Sequence, residues 1–367
     1  MKIMLLGFTK IAYMPYMSFY TNQIDFSSNE VHLVYWNRDE KPDINAPAGM
    51  ILHPFKNSMS DAISLKEKAP HLIAYSRYAR ARIREVNPDF IIVLHSTTAV
   101  CVCRELLGKY AGKYIFDFRD VTYEHFYFYR NLVDHLIKKS ALSFTSSDGF
   151  RSFLPSTPKL LTSHNINIEF FENRALYRKE NAIAICNRIR IGFWGLLRHY
   201  ELNRILVEKF GQDKRFELHY YGRAQGKMLD LMEYATNKFD NVYFHGEYRP
   251  EERELFAREI DMLHNIYDNS DRTTPIAMGN KYYDGIGFYV PQLCMSDSYM
   301  AKAAVTAGVG FACDPNDLNF TDEVYQYYQS LDRHEFENSC DEEFYRIKEQ
   351  VINGSRKIKG LLEGKNR

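Results

Sequence analysis

Short apolar runs alternate with helix-like stretches along most of the chain, and this alternation restricts the fold more than any other feature. Seven runs lie in the first half, at 2–8, 30–36, 50–55, 89–95, 113–118, 142–147 and 159–165. Between two of them, "LIAYSRYARARIREV" (72–86) repeats apolar residues at three- and four-residue steps, as one face of a helix does. Strand, helix and strand in this rhythm predict βαβ units and a mostly parallel sheet that is covered on both faces.

The same pattern restarts near residue 188. Six more strand candidates follow, at 188–195, 215–222, 241–247, 260–267, 290–295 and 308–314. We therefore predict an α/β protein of two Rossmann-like doubly wound domains that face a central cleft. The predicted domains cover 1–182 and 183–345, and 177–187 is the predicted linker. A last helix is predicted over 346–367, and packing of this helix on the first domain is left open. Ligands of such sheets bind at the carboxyl ends of the strands, so the cleft is the expected site.

Composition excludes several classes of protein. The 367 residues suit two domains, and a net charge of zero with a pI of about 7.2 disfavours a nucleic-acid partner. The opening "MKIMLLGFTK" is too short in apolar residues for a signal peptide, and no run approaches the ~18 residues of a membrane span. The six cysteines form no C-x-x-C pair and are predicted to be reduced thiols of a cytoplasmic protein.

The stretch "GNKYYDGIGFYVPQL" (279–293) indicates an anion site. Lys281 lies at the start of a predicted helix, where free N–H groups and the helix dipole favour negative charge, and a diphosphate would suit it. Arg198 follows the strand and turn "IGFWGLLR" and is the predicted second cation. The alternative interpretation is that both are solvated surface cations.

The second half of the chain resembles the donor-binding domain of GT-B glycosyltransferases, specifically the retaining group called family four. The motifs are "IGFWGLLRHYE", "ELHYYGRA", "VYFHGEY" and an acidic residue, Asp284, seven positions before Pro291. They cover most of 188–316, while the first half resembles the family loosely. The donor site that the resemblance implies consists of Gly195, Arg198, Gly222, Tyr248, Asn280, Lys281 and Asp284.

The chain departs from the family pattern just ahead of the helix. That pattern has two glutamates eight residues apart; Asp284 occupies the second position, but the first falls on Ile276. The resemblance implies that Asp284 holds the ribose and that the lysine grips the diphosphate. The backbone of 274–278 is the candidate replacement for the missing glutamate, and Gly285 and Gly287 would let the helix lie close to the neighbouring strand.

Polar residues after three strands of the first half are the candidates for the acceptor side. Charges at a strand end cost less at a cleft than in the interior. We predict His95 and Asp120 as catalytic residues, and Thr9, Lys10, Arg119 and Glu124 as acceptor-binding residues. Two alternatives stay open, namely that His95 is structural and that Asp117 and Arg119 form an internal ion pair. His164 and Asn165 are expected on the hinge side of the cleft.

The chemistry that the resemblance implies needs no metal and no cofactor. There is no D-x-D motif to hold a divalent ion, so cations and helix N–H groups would stabilise the leaving UDP or GDP instead. Of the two donors, a UDP-sugar is predicted ahead of a GDP-sugar. The transition state would resemble an oxocarbenium ion. In the resembled family the configuration is usually retained, and the leaving phosphate is thought to take the acceptor proton.

The leading prediction is therefore a glycosyltransferase of bacterial surface polysaccharide synthesis, such as capsule or O-antigen, acting on a saccharide or lipid-linked saccharide. The alternatives are a sugar-nucleotide 2-epimerase of the same fold and a non-catalytic binding partner in an assembly complex. The segment "HFYFYRNLVDHLIKK" (125–139) is either a partly buried helix with a terminal lysine pair or a peripheral contact with the cytoplasmic face of the inner membrane.

Overall fold

The computed structural model describes residues 1–41, 46–60, 64–178 and 188–364. Thirteen strands lie in this part of the chain, one at each predicted position: β1 Lys2–Leu6, β2 Glu30–Asn37, β3 Met50–Lys56, β4 Phe90–Leu94, β5 Tyr114–Phe118, β6 Leu142–Thr145, β7 Leu160–Thr162, β8 Ile189–Trp194, β9 Phe216–Tyr221, β10 Val242–Gly246, β11 Met262–Asn265, β12 Gln292–Met295 and β13 Gly310–Cys313.

The described α-helices connect these strands and close the chain. They are α1 Ser18–Thr21, α2 Leu65–Val86, α3 Ser96–Cys101, α4 Cys103–Leu107, α5 Tyr127–Lys139, α6 Tyr200–Gln212, α7 Lys227–Lys238, α8 Arg253–Glu259, α9 Asn280–Gly287, α10 Tyr299–Thr306, α11 Phe320–Ser330 and α12 Arg333–Leu362. None of them is long and apolar enough to cross a lipid bilayer.

The strands form two parallel sheets, as the alternation predicted. The first has seven strands in the order β3-β2-β1-β4-β5-β6-β7, and the second has six in the order β10-β9-β8-β11-β12-β13. Both sheets change their direction of growth once, between β1 and β4 and between β8 and β11. These pairs are the topological switch points, where doubly wound proteins bind their ligands. The α/β class with two Rossmann-like domains is confirmed.

The chain divides into two compact units. One comprises Met1–His164 together with Glu349–Arg367, and the other comprises Asn165–Lys348. Helix α12 therefore begins in the second unit and ends in the first. The predicted boundary at 182/183 and most of the predicted linker lie within 179–187, outside the described residues.

Strand burial follows from the parallel topology. Strands β4 ("FIIVL") and β5 ("YIFDF") are buried at every position, because helices cover both faces of the sheet. Helix α2 begins with a capping box in which Ser64 and Glu67 satisfy each other's backbone N–H groups. It ends at Asn87, which has φ +51°.

The end of α12 packs into the core of the first unit. Ile358 and Leu362 belong to the same apolar cluster as β1 and β4. Gly354 permits this contact, since a Cβ there would lie 3.0 Å from the Phe19 ring and 3.1 Å from the Phe144 ring. The described cysteines, at 101, 103, 294, 313 and 340, carry free thiols, and Cys186 lies outside the described residues.

Candidate functional site

In the second domain, Lys281 lies where the fold places ligands. It is the second residue of α9, and its buried side chain reaches back toward the end of β8. The ammonium donates to the Tyr267 hydroxyl at 2.5 Å and lies 4.2 Å from the centroid of the Phe193 ring. These contacts hold a desolvated positive charge at the β8/β11 switch point, which is the arrangement expected of an anion site.

Glycines after β8 and β9 let the backbone of the two turns pack closely beside Lys281. Gly195, directly after β8, has φ +129°, and a Cβ built there would lie 3.7 Å from the lysine Nζ. Gly222, directly after β9, has φ +143°, and a Cβ there would come within 1.7 Å of the Gly195 carbonyl oxygen. Only glycine suits either position, so the backbone itself forms this wall of the site.

A buried polar network fixes the turn that carries Arg198. The Asn203 amide donates to the carbonyl oxygens of Arg198 at 2.6 Å and His199 at 3.2 Å. The Asn203 side-chain oxygen accepts from the Tyr220 hydroxyl at 3.0 Å. His199 adopts the left-handed conformation at φ +60°, and the exposed Arg198 guanidinium forms no ion pair with another described residue. Arg198 is thus held by its backbone while its charge remains available to a ligand.

His264 contacts the Asn203 side chain of this network and is a neutral group. Its Nδ1 accepts from the Ile266 N–H at 3.1 Å, so the proton lies on Nε2, which is 3.5 Å from the Asn203 side-chain oxygen. Burial, followed by the positive charges of Lys281 and His199, lowers the pKa of His264 to about 3. The site therefore does not gain a positive charge from His264 near neutral pH.

Asp284, the predicted ribose ligand, is buried against its own domain. One carboxylate oxygen accepts from Trp194 Nε1 at 2.8 Å, and the other accepts from Arg253 at 2.8 Å. Burial raises the pKa of Asp284, and the Arg253 charge opposes that shift. These contacts fix α9 to β8 and α8, so the structure gives Asp284 a structural role, and its contact with a ribose stays a prediction.

The remaining predicted donor residues lie around this point. The Asn280 side-chain oxygen accepts from Asn165 Nδ2 at 2.7 Å, so Asn165 meets the start of α9. Tyr248, after β10, packs edge-on against Phe256, and burial raises its pKa to about 12. Ile276 ends a short 3-10 turn and contributes no polar side chain.

The two glycines of α9 have different neighbours. A Cβ on Gly285 would lie 2.5 Å from the side chain of Gln292, the first residue of β12, so this glycine lets the helix approach the strand as predicted. The prediction for Gly287 was wrong. A Cβ there would meet the ring of Phe171, at 2.2 Å, because an aromatic side chain rather than a strand covers the end of α9.

In the first domain, Asp117 and Arg119 form the internal ion pair that was one of the two open interpretations. Arg119 Nε donates to Asp117 Oδ2 at 2.7 Å, and both side chains are buried. The guanidinium also stacks on Tyr16, 4.2 Å from the ring centroid. Burial raises the pKa of Asp117 even with this partner. Arg119 therefore supports the loop after β5, and acceptor binding by it stays a prediction.

His95 lies at the end of β4 in a strained backbone conformation, with φ +94°. Its ring stacks on Phe8 at a centroid distance of 5.3 Å, and its Nδ1 accepts from the Thr97 N–H at 3.2 Å. Burial lowers the pKa of His95, against the influence of Asp120. Such strain in a non-glycine residue is typical of functional sites, which fits but does not test the predicted catalytic role.

The other predicted acceptor residues differ in accessibility. The Lys10 ammonium donates to Asp39 at 2.8 Å and to the Lys41 carbonyl oxygen at 3.3 Å. Glu124 is buried, accepts from the Thr122 N–H at 2.5 Å, and has its pKa raised by burial. Thr9 is half-buried in the loop after β1, and Asp120 is exposed after β5. Asp120 is thus the accessible carboxylate among these candidates.

Several residues of the site were not found from the sequence. Arg253 and Trp194 bind Asp284 from positions 31 and 90 residues away, and no local pattern predicts such partners. Tyr267 carried a usable signal, because it ends the predicted strand 260–267 and hence lies at a carboxyl end. Arg38 caps the Phe8 ring at 4.6 Å; its position after the predicted strand 30–36 was a similar signal.

No family model and no curated protein matches the sequence. Solved structures do match it over nearly its whole length, and they assign the chain the GT-B glycosyltransferase fold. Sucrose-phosphate synthase from Thermosynechococcus elongatus has a TM-score of 0.69 at 9% identity, covering 99% of this chain and 98% of that one.

Two further structures show the range of this fold. HepE from Anabaena in complex with UDP-glucose has a TM-score of 0.61 at 13% identity, covering 98% of this chain and 99% of that one. A putative UDP-N-acetylglucosamine 2-epimerase from Listeria monocytogenes has a TM-score of 0.57 at 13% identity, covering 96% and 97%. Identities this low establish the fold and leave the reaction to be argued from the site.

Proposed function

We propose that this protein is a glycosyltransferase that uses a nucleotide-sugar donor, with UDP as the nucleotide. The observation that carries the proposal is the desolvated ammonium of Lys281, held at the N-terminus of α9 beside the glycine-lined ends of β8 and β9. A helix N-terminus and a buried cation at a switch point suit a diphosphate. The matching structure of HepE contains UDP-glucose, which is consistent with this choice of ligand.

In the proposed reaction the donor-side residues stabilise the leaving group. When the bond between the sugar and the diphosphate breaks, negative charge grows on the phosphate oxygen that it leaves. Lys281, Arg198 and the N–H groups at the start of α9 would lie against that charge, and Lys281 and the helix would do so without reorganising, because packing already fixes them. The electron-deficient sugar would resemble an oxocarbenium ion. We propose that the reaction retains configuration, with the leaving phosphate taking the acceptor proton.

The proposed acceptor is a saccharide or lipid-linked saccharide of bacterial surface polysaccharide synthesis. Asp120 and His95, at the ends of β5 and β4, are the proposed acceptor-side residues. Asp120 is exposed, and its negative charge opposes the lowering of the His95 pKa that burial causes. We further propose that the protein acts without a metal ion, with activity unchanged by a chelator as the expected result.

Nucleotide binding and transfer are testable in two steps. We expect thermal stabilisation by UDP and UDP-sugars that exceeds stabilisation by GDP- and dTDP-sugars at equal concentration, because only bound ligand shifts the unfolding equilibrium. Arg198→Gln should reduce this shift, whereas Arg204→Gln, on the exposed face of α6, serves as the matched control. No shift with any nucleotide would remove the basis of the proposal.

A 2-epimerase is the second candidate, since the structure of the putative 2-epimerase covers 96% of this chain. The two reactions differ in their products. Incubation with UDP-sugar alone should release UDP slowly by hydrolysis in a transferase, whereas an epimerase releases an isomerised sugar with no acceptor present. An acceptor-dependent product that disappears in Asp120→Asn favours transfer. Binding of UDP without any product would indicate a non-catalytic partner in an assembly complex. That outcome would agree with the presence of Ile276 at the position where the family pattern has a glutamate.

A further inference from the structure

The first domain contains an apolar cavity of about 470 Å³ next to the predicted acceptor side. It lies between α2, α3 and the segment that follows β5. Its walls are mainly aliphatic and aromatic, from Leu65, Leu72, Ile73, Val100, Phe126 and Tyr129. A volume of this size falls within the range of small-molecule sites, which is ~300–1,000 Å³.

The mouth of the cavity exposes apolar side chains to solvent. Leu65 is 44% exposed, Ile73 53% and Phe126 49%. The patch continues onto the start of α5, where Tyr127 is 71% exposed and Phe128 86%. The other face of α5, including Val133, is buried, so this helix is anchored at one side and presents aromatic rings at its N-terminal end. Contiguous apolar surface of this kind marks interaction sites.

Basic groups stand beside this apolar surface. Arg77 and Arg80 both line the cavity. Arg80 Nε donates to Glu105 at 2.8 Å, which neutralises one of the two charges. Arg77 is exposed, and no described residue forms an ion pair with it. Among the described residues, Arg77 thus supplies one positive charge without an ion-pair partner at an otherwise apolar cavity.

Two residues that line the cavity are close in sequence to the proposed acceptor residues. Thr97, on its wall, follows His95 by two residues, and Tyr123 follows Asp120 by three. The ends of β4 and β5 thus supply both the polar candidates and part of the apolar wall. The cavity therefore adjoins the strand ends that carry the proposed acceptor residues.

We propose that the cavity binds the hydrocarbon chain of an anionic amphiphile whose phosphate group contacts Arg77. Under the proposed function, on which this part of the inference rests, the acceptor is a saccharide carried on a lipid phosphate. An apolar space with a single cation suits a methylene chain with a charged head. It does not suit a polypeptide, whose buried backbone N–H and C=O groups would find few partners on these walls.

Binding of monomeric alkyl phosphates to the full chain, without nucleotide, tests the proposal. Butyl, hexyl, octyl and decyl phosphate are titrated by calorimetry below their micelle concentrations. We expect affinity to rise about three- to fourfold per added methylene until the cavity is full, since each buried methylene contributes a constant increment. Ile73→Trp, at a half-exposed position of the wall, should reduce the space in the cavity. The affinity should then stop rising at a shorter alkyl chain than in the wild-type protein.

The head-group contact has its own matched pair of variants. Arg77→Gln should weaken every alkyl phosphate by a similar factor of about ten, the effect of losing one charged hydrogen bond. Arg84→Gln, at an exposed arginine of α2 outside the cavity, should change nothing. Alkyl maltosides, which carry no charge, should respond to Ile73→Trp but not to Arg77→Gln.

Three results would overturn the inference. They are the absence of binding, affinity independent of chain length, and affinity unaffected by both cavity variants. Binding to vesicles of phosphatidylcholine and phosphatidylglycerol without binding of the monomeric alkyl phosphates would instead identify the patch as a bilayer-docking surface. UDP binding, measured on the same samples, separates failure of this inference from failure of the proposed function.

Discussion

Replacing Lys281 by methionine should separate ligand binding from stability. The ammonium is desolvated, and its partners are a neutral hydroxyl at 2.5 Å and the face of the Phe193 ring at 4.2 Å. No described carboxylate forms an ion pair with it, although Asp284 exerts a longer-range attraction. Methionine keeps most of the buried aliphatic stem and removes only the charge. The folded state therefore loses little, whereas a bound diphosphate loses its principal cation.

The magnitude follows from these contacts. A hydrogen bond between charged groups contributes about 1.5–3 kcal/mol, which corresponds to roughly a 10- to 150-fold weaker affinity for UDP. The free energy of unfolding should stay within about 1 kcal/mol of the wild-type value or rise, because burying a cation without a carboxylate partner is costly.

Calorimetry with UDP and urea unfolding of the same preparations measure the two quantities. Lys302→Met, at an exposed lysine of α10, is the matched control and should alter neither by much. Unchanged UDP affinity in Lys281→Met would refute the assignment of the site. A loss of affinity accompanied by an equal loss of stability would show that the lysine supports the fold rather than the ligand.

Three further perturbations test the surroundings of the site, each by urea unfolding. Gly222→Ala should lower the free energy of unfolding by more than ~3 kcal/mol, because its Cβ would lie 1.7 Å from a backbone oxygen and this clash adds to the backbone strain. Gly226→Ala, at φ +52° and ψ −132° with nothing within 4 Å of the new Cβ, should lower it by about 1–3 kcal/mol through strain alone; equal losses would contradict this. His264 has its pKa lowered to about 3, so the unfolded chain binds the proton more tightly and stability should fall by about 1.4 kcal/mol per pH unit as pH drops below 6.5. His264→Gln should flatten the slope of unfolding free energy between pH 5 and pH 6.5, and an unaltered slope would show that other groups cause it. Asp284→Asn should lower the free energy of unfolding by about 3 kcal/mol. This is the lower end of the range for breaking a buried ion pair, because the side chain of the Arg253 partner is 25% exposed. An unchanged free energy of unfolding would mean that the carboxylate does not anchor α9.

The contrast between Lys281 and Asp284 shows how one helix serves two purposes. Both residues lie on α9, three positions apart, and both are buried. Lys281 meets a hydroxyl and an aromatic ring and retains an unmatched charge, while Asp284 is matched by Arg253 and Trp194. The first arrangement is suited to a ligand, and the second is suited to holding the helix in place so that the first can work.

Strand and helix periodicity in the sequence determined the architecture of this protein. Each of the thirteen apolar runs became a strand, because a parallel sheet covered on both faces requires continuous apolar segments of this length. The sequence also predicted the glycines after β8 and β9 as site residues, since they follow strand ends where the backbone approaches closely. Strand ends likewise predicted the region of the site, because ligands bind at the carboxyl edge of such sheets.

Tertiary structure alone decided which charges are free. The sequence offered Arg119, Lys10 and Asp284 as equal candidates with Lys281 and Arg198. The fold paired the first three with Asp117, Asp39 and Arg253. The Asp117 pair was one of the interpretations open from the sequence, because its members lie only two positions apart. Asp39 and Arg253 lie 29 and 31 residues from their partners, a separation at which local spacing identifies no pair. Whether a buried charge is neutralised depends on contacts between distant segments, and those exist only once the chain has folded.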